Sequence, residues 1–316
     1  MLISSIDIGS NTILLLVVEF DPANYSIKTL RNEYRIPRIS KNLKTNLIIS
    51  DEKITEMWNV FEEYNDIITT LGVNITLAVA TNAFRIAKNG QELIKKISSD
   101  FKWEAKILSG DEEARLSFIG SLPNNSENDN FIVIDIGGGS TEIIYGSKKN
   151  ISFKRSFSVG VVSLSEKFIS NYPPSNKELN IIELEVEKEF KILEKADFYY
   201  QDVIAVAGTP TTLSCMLQGV KYYDEKLINN SVISFSQIKN MIKTLSTMST
   251  LQINNVFGEI VKGREDVLLP GSIRLLKILE ILKHDHLLVS SRGLRYGVIV
   301  DYINSKVSTN KDLKIL

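Results

Sequence analysis

Ile134-Asp135-Ile136-Gly137-Gly138-Gly139-Ser140-Thr141-Glu142 is the stretch on which the reading of this chain turns. An apolar run, Phe131–Ile134, leads into it and another, Ile143–Tyr145, leads away, so the pattern predicts strand, tight turn, strand. A strand ending in Asp and turning through Gly137, Gly138, Gly139, Ser140 and Thr141 gathers backbone N–H groups at one spot, which favours phosphate oxygens. Asp135 can reach a magnesium ion directly or through water, because that ion takes hard oxygen ligands and retains several waters. Glu142 follows on the next strand. The competing reading is a plain hairpin turn capped by Asp135.

The same local pattern occurs earlier, as Ile6-Asp7-Ile8-Gly9-Ser10-Asn11-Thr12 between predicted strands Leu2–Ile6 and Leu14–Phe20. Two Asp-Ile-Gly turns favour a duplicated unit in two related domains, with a cleft that grips phosphates from both sides, over two coincidental turns. Between them, Pro123 to Asn130 is polar, turn-rich and without periodicity, and reads as a hinge. The expected domains are therefore 1–121 and 122–316. Further strands are expected at Thr76–Ala80, Val203–Ala207 and Leu287–Val289, and helices at Glu178–Tyr199, Ser236–Thr247 and Asp266–Lys283. Alternating strands and helices define an α/β fold with sheets covered by helices.

Bulk composition narrows the chemistry. A chain of 316 residues, 43% hydrophobic, can bury a full core and suggests two domains. Its single cysteine, Cys215, excludes an intramolecular disulfide and any multi-thiolate zinc site. With 37 basic and 38 acidic residues the net charge is -1, so no whole-molecule field favours nucleic acid. No apolar run approaches the roughly 18 residues of a membrane span, and no basic leader is present. The expectation is a soluble, cytoplasmic protein without membrane or nucleic-acid partners.

Other turns offer further groups. Gly208 and Thr209 follow Val203–Ala207 and open a helical pattern through Leu213–Leu217; hydroxyls and N–H groups there suit an anion, or form an ordinary N-cap. Ser290 to Arg295 adds two arginines, Arg292 and Arg295, either substrate cations or solvated surface. Arg85 follows Thr76–Ala80, where a bidentate phosphate contact is natural, or it is a surface helix arginine. Ser109 and Glu112 form a capping box opening a helix through Phe118. Glu113, next in line, either complements the helix dipole or acts as a general base.

In order, Asp7–Asn11, Ala80–Arg85, Leu108–Arg115, Asp135–Glu142, Ala207–Thr212, Asp266–Gly271 and Arg292–Arg295 resemble the exopolyphosphatase and guanosine pentaphosphate phosphohydrolase family, a branch of the actin-like ATPase superfold. The resemblance spans nearly the whole chain. It implies two actin-like (ribonuclease H-like) domains flanking a cleft, release of terminal phosphate from inorganic polyphosphate or guanosine pentaphosphate, and Mg2+ (or Mn2+) as cofactor. It matches Glu113 to the catalytic glutamate and Asp135 and Glu142 to the metal-associated acids. In this reading Asp7 joins the metal acids, and Ser10, Asn11, Arg85, Gly137–Thr141, Gly208 and Thr209 hold phosphate. A homodimer is compatible with it.

Departures from the family pattern fall at Leu14, Ser40, Asn42, Ser291 and Tyr296, and bear on the substrate channel. The only histidines, His284 and His286, lie on a polar His-Asp-His turn and read as solvated rather than metal-binding. Two other functions remain open: a small-molecule kinase of the same superfold, and a nucleotide- or alarmone-binding module without turnover.

Overall fold

The computed structural model describes every residue except 42, 44–46, 124–129, 149, 197, 201 and 307–312. Asn42 and most of the expected hinge thus lie outside the described residues. The strands are β1 (Leu2–Ile8), β2 (Ile13–Asp21), β3 (Ser26–Arg35), β4 (Ile75–Ala80), β5 (Glu104–Ile107), β6 (Phe131–Ile136), β7 (Thr141–Gly146), β8 (Ile151–Phe157), β9 (Asp202–Val206), β10 (Val232–Ser234), β11 (His286–Val289) and β12 (Lys314–Ile315). The helices are α1 (Asp51–Leu71), α2 (Asn82–Ile86), α3 (Gly90–Phe101), α4 (Gly110–Ser121), α5 (Val161–Phe168), α6 (Asn176–Phe190), α7 (Gly208–Gln218), α8 (Glu225–Ile228), α9 (Phe235–Leu245), α10 (Thr250–Phe257), α11 (Leu268–Leu282) and α12 (Gly293–Lys306).

The chain forms two compact units: Met1–Ser126 together with Arg292–Leu316, and Glu127–Ser291. Each is built on a six-stranded sheet, in the orders β12-β3-β2-β1-β4-β5 and β10-β11-β9-β6-β7-β8. In the first, β1, β2 and β3 form an antiparallel meander and β4 and β5 extend it in parallel. In the second, β6, β7 and β8 repeat the meander while β9 and β11 repeat the parallel extension. The duplication suggested by two short turns is therefore carried by five strands in each unit, and the fold is α/β with two sheets of the expected actin-like type.

Alternation along the strands assigns their faces. On β2, Ile13, Leu15 and Val17 join one core with Phe61, Tyr64 and Ile97, while Leu16, Val18 and Phe20 join another with Leu116, Tyr296 and Ile299. The first sheet is thus covered on both sides. Ser50 caps α1 by accepting from the Lys53 N–H, and Gly72 ends it in the left-handed conformation (φ 66°). The Ser109–Glu112 capping box is present at α4 as expected.

One boundary differs from expectation. Arg292–Leu316 belongs with the first unit, not the second. Its helix α12 lies against α4, Ser5 Oγ donates to the Arg295 carbonyl at 2.8 Å, and β12 pairs with β3. Nothing local in a C-terminal amphipathic helix states which sheet it covers. The helix expected over Glu178–Tyr199 ends at Phe190 and tightens into a 3-10 turn over Lys191–Lys195. The tighter turn lets Leu193, three residues after Phe190, join the core that Ile182, Val186 and Phe190 build. Among the described residues no helix is long and apolar enough to cross a membrane.

Candidate active site

In the second unit the decisive turn is a four-residue loop between Ile136 and Thr141. The register places Asp135 directly opposite Glu142. Two facing carboxylates repel unless a cation joins them, and Glu142 is 1% exposed, accepting from Ser156 Oγ at 2.6 Å. A buried acid in this position fits a hard divalent ion. In the first unit the equivalent pair is Asp7 opposite Leu14, so one acid stands there where the second unit sets two across its register.

The glycine loop is braced from behind. Val161 and Val162, at the start of α5, donate their N–H groups to the Gly137 and Gly138 carbonyls at 3.2 and 3.0 Å. Gly160 permits this approach, since a Cβ there would stand 2.0 Å from the Gly138 carbonyl oxygen. Thr141 is wholly buried; its hydroxyl donates to the Val159 carbonyl and accepts from Arg274. Thr141 therefore anchors the loop, while Gly138, Gly139 and Ser140 form its turn. Arg274, on α11, is fully buried and also donates to the Val159 carbonyl. Burial pulls its pKa down to about 9, with Glu189 and Glu142 opposing the shift, so it stays charged at neutral pH. Sequence reasoning missed Arg274; its signal was a cation set between Ile273 and Leu275 on the apolar side of its helix.

In the first unit the matching loop is closed by the Gly9 N–H, which donates to the Thr12 carbonyl at 3.0 Å. Ser10 and Asn11 are 4% and 5% exposed, and Ser10 Oγ and Asn11 Oδ1 find no hydrogen-bond partner among the described residues. Buried polar atoms left without partners are costly, which fits a ligand taking them up. The loop is held by Arg38 and Ser40, whose N–H groups donate to the Asn11 and Ser10 carbonyls at 3.1 and 2.9 Å. Ser40 Oγ is likewise buried without a partner among the described residues. The departure at Ser40 therefore adds a hydroxyl beside the loop, which the sequence alone did not reveal.

Arg85 and Glu113 meet. Arg85, on α2, donates through Nη1 to Glu113 Oε2 at 2.5 Å and to the Leu108 carbonyl at 3.1 Å. Glu113 is 7% exposed. A buried carboxylate beside a guanidinium is held in its charged, proton-accepting form. Glu113 therefore does more than complement the helix dipole, since its side chain turns inward to an ion pair instead of standing in solvent. Arg85 is tied to Glu113 rather than standing alone as a phosphate clamp.

The third turn begins one residue past Val206, the β9 neighbour of Asp135. Ala207 is held at φ 77°, a strained value for a residue other than glycine. At Gly208, which opens α7, an added Cβ would fall 1.5 Å from Arg264 Nη1. Arg264 thus packs directly against the Gly208 backbone at the start of α7. Arg264 is another residue that sequence reasoning missed, because it lies outside the Asp266–Gly271 motif and more than fifty residues along the chain from Gly208. Thr209 is 3% exposed, its side chain packed against Gly271. Replacing Gly208 by serine is expected to displace Arg264 and raise KM for phosphate substrates several-fold with little loss of folding, as read by initial rates and circular dichroism.

In the fourth turn, Ser291 donates through N–H and Oγ to Asn229 Oδ1 at 3.1 Å. Arg295 is 5% exposed and donates to Asn32 Oδ1, and Tyr296 is fully buried with its hydroxyl 3.0 Å from Thr29 Oγ1. Arg295 and Tyr296 thus serve the core of the first unit rather than a solvated surface. Within each unit the candidates gather at one end of the sheet, at or beyond the C-terminal ends of parallel strands, where α/β sheets bind ligands.

A sequence profile of the Ppx/GppA phosphatase family matches residues 16–306. The bifunctional 3-dehydroquinate synthase/phosphatase of Fusobacterium nucleatum is 31% identical over 318 residues, covering 96% of this chain and 47% of that protein. Exopolyphosphatase 2 of Mycobacterium tuberculosis is 26% identical over 315 residues, covering 94% and 97%. Guanosine-5'-triphosphate,3'-diphosphate pyrophosphatase of Aliivibrio fischeri is 25% identical over 305 residues, covering 95% and 59%. The chain therefore spans about half the length of the first relative, nearly all of the second and under two thirds of the third. Among solved structures, the Aquifex aeolicus member of the Ppx/GppA family superposes with a TM-score of 0.82 at 29% identity, covering 98% of this chain and 99% of that one. An exopolyphosphatase from Cytophaga hutchinsonii superposes at 0.87 with 23% identity, covering 96% and 98%, a likeness of fold.

Proposed function

Because the chain belongs to the Ppx/GppA phosphatase family, we propose that it hydrolyses the terminal phosphoanhydride bond of inorganic polyphosphate or of guanosine pentaphosphate, releasing orthophosphate. The observation that carries this reading is Glu113, buried and ion-paired to Arg85. Terminal phosphoryl transfer to water needs little covalent help; it needs a positioned nucleophile and neutralised charge. Glu113 orients the attacking water and accepts its proton, and Arg85 fixes the carboxylate and keeps it ionised. Within the first unit, Ser10 and Asn11 offer buried polar groups to phosphate oxygens; within the second, the Gly138–Ser140 turn offers backbone N–H groups and a hydroxyl.

The chemistry of the donor set in the second unit fits a divalent cation, with Asp135 and Glu142 as the acids that would hold it. Mg2+, or Mn2+ in its place, suits these all-oxygen donors and when bound supplies charge neutralisation on the phosphate. Relatives named for polyphosphate and for the guanosine compound occur side by side, which supports both substrates as a class.

The test is a phosphate-release assay with polyphosphate, guanosine pentaphosphate and ATP plus small acceptors, with and without Mg2+, paired with calorimetry. Metal-dependent release of orthophosphate from one of the first two is expected. A phosphorylated acceptor would instead establish a kinase, and tight binding without release would establish a sensor; either result sinks the hydrolase.

A further inference from the structure

At the end of the second sheet remote from Asp135 and Gly208, three metal-ligating side chains converge. Asp202 is the first residue of β9 and His286 the first of β11, and each stands two positions before the paired residues Ile204 and Leu288. His284 lies in the turn that joins α11 to β11. One nitrogen from each imidazole and one carboxylate oxygen of Asp202 lie within 4.8 Å of one another. Of these, His286 Nε2 and Asp202 Oδ1 are 3.5 Å apart. The His-Asp-His turn is thus not the solvated loop its polarity suggested, since both imidazoles are half-buried.

We infer that Asp202, His284 and His286 form a binding site for a first-row divalent ion of the zinc class, which joins the start of β9 to the turn entering β11. Four features support it. First, His286 Nδ1 stands 2.7 Å from Asp285 Oδ1; the carboxylate takes the Nδ1 proton and leaves Nε2, the atom facing Asp202, with its lone pair bare. A carboxylate behind a ligating histidine is the usual outer-sphere partner that fixes tautomer and ring orientation. Second, His284 Nε2 is sealed from solvent and finds no hydrogen-bond partner among the described residues, a cost that a ligand would remove.

Third, the turn is built before any ion arrives. Lys283 adopts the left-handed conformation (φ 54°), the His284 N–H donates to the Leu279 carbonyl at 3.0 Å, and the Phe235 N–H donates to the Asp285 carbonyl at 2.7 Å. The Tyr200 ring packs 5.5 Å from the His284 ring, with its hydroxyl on the Leu282 carbonyl at 2.7 Å. Fourth, the donors choose the ion: two imidazoles and one carboxylate suit zinc, cobalt or nickel, whereas magnesium takes oxygen. A tetrahedral zinc with bonds of about 2.0–2.1 Å sets its donors roughly 3.3 Å apart, so modest side-chain rotation closes the set around the 3.5 Å pair and leaves a fourth position for water.

The experiment uses the full chain, freed of metal by chelation, titrated with zinc and separately with cobalt, with magnesium as contrast. Bound metal is measured after dialysis, alongside the visible cobalt spectrum and the thermal midpoint. Wild type is expected to take up one more equivalent of zinc than the double variant His284→Gln, His286→Gln, to show cobalt bands the variant lacks, and to gain thermal stability that the variant does not. Asp285→Asn, which keeps all three ligands, is expected to weaken zinc binding about 10–100-fold. Circular dichroism of the metal-free variants shows whether they fold, and Asp285→Asn, with its side chain 92% exposed, keeps the test open should the double variant fail. Equal zinc uptake by wild type and variants, or none by wild type, overturns the site. Phosphate release in magnesium alone is expected to be the same in wild type and Asp285→Asn, so the outcome is independent of the hydrolase reading.

Discussion

Replacing Glu113 by glutamine is expected to lower the rate of phosphate release at least ~100-fold, the usual scale for removing a general base. The amide preserves the shape of the side chain, and its carbonyl oxygen can still accept from Arg85 Nη1, so the fold and the Arg85 contact survive. What vanishes is the proton acceptor. Because phosphate binding is assigned to other residues, the loss should fall on kcat with KM little changed, the signature of a contact made in the transition state. Arg85→Met leaves the carboxylate buried without its cation and should cost activity while shifting the pH profile upward, since an unpaired buried carboxylate is harder to ionise. Initial rates across pH for both variants check this, and a Glu113→Gln enzyme retaining wild-type turnover refutes the assignment.

The largest effect on stability is expected at Gly297. In a helix interior, alanine usually stabilises relative to glycine by about 1 kcal/mol. Here a Cβ at Gly297 would fall 1.8 Å from the Leu116 carbonyl oxygen, and one at Gly120 would fall 2.0 Å from the Gly293 carbonyl oxygen. These obstacles are backbone atoms, which cannot swing aside as a side chain can. Overpacking of this kind typically costs about 1–3 kcal/mol and occasionally more, which outweighs the helix-propensity gain. Gly297→Ala should therefore lower the thermal midpoint by several degrees, and Gly120→Ala should do the same. The two changes push the same pair of helices apart, so the double variant should lose less than the sum. Thermal denaturation of the three variants decides it, and an unchanged or raised midpoint in Gly297→Ala would mean that the helices do not touch there. Leu116 lies one turn beyond Glu113 on α4, so activity should fall with stability.

Much of this molecule was legible in its sequence, and the parts that were not have physical reasons. The strands β1, β2, β4, β6, β7, β9 and β11 were found because their apolar runs are bounded by Asp, Gly and Ser turns. The strands β3 and β8 were not singled out, because Lys28, Arg31, Lys154 and Arg155 interrupt their alternation and much of their surface is exposed. The two glycine turns could be read because their chemistry sits in consecutive residues. Contacts between distant residues could not: neither Arg85 with Glu113, nor Arg264 with Gly208, nor Arg274 with Thr141 leaves a trace in local spacing. His284 and His286 were visible as a pair, but the residue that gives them meaning, Asp202, is brought beside them only by the parallel register of β9 and β11.

The order in which the chain is made acquires a meaning from the divided first unit. A ribosome delivers Met1–Ser126, then the 165 residues from Glu127 to Ser291, and only afterwards Arg292 onward. The second unit is contiguous and can fold as it emerges, whereas the helix bearing Glu113 waits for α12 to cover its far side. An emerging chain can therefore complete the Gly137–Ser140 turn of the second unit before α12 is available to cover α4 in the first.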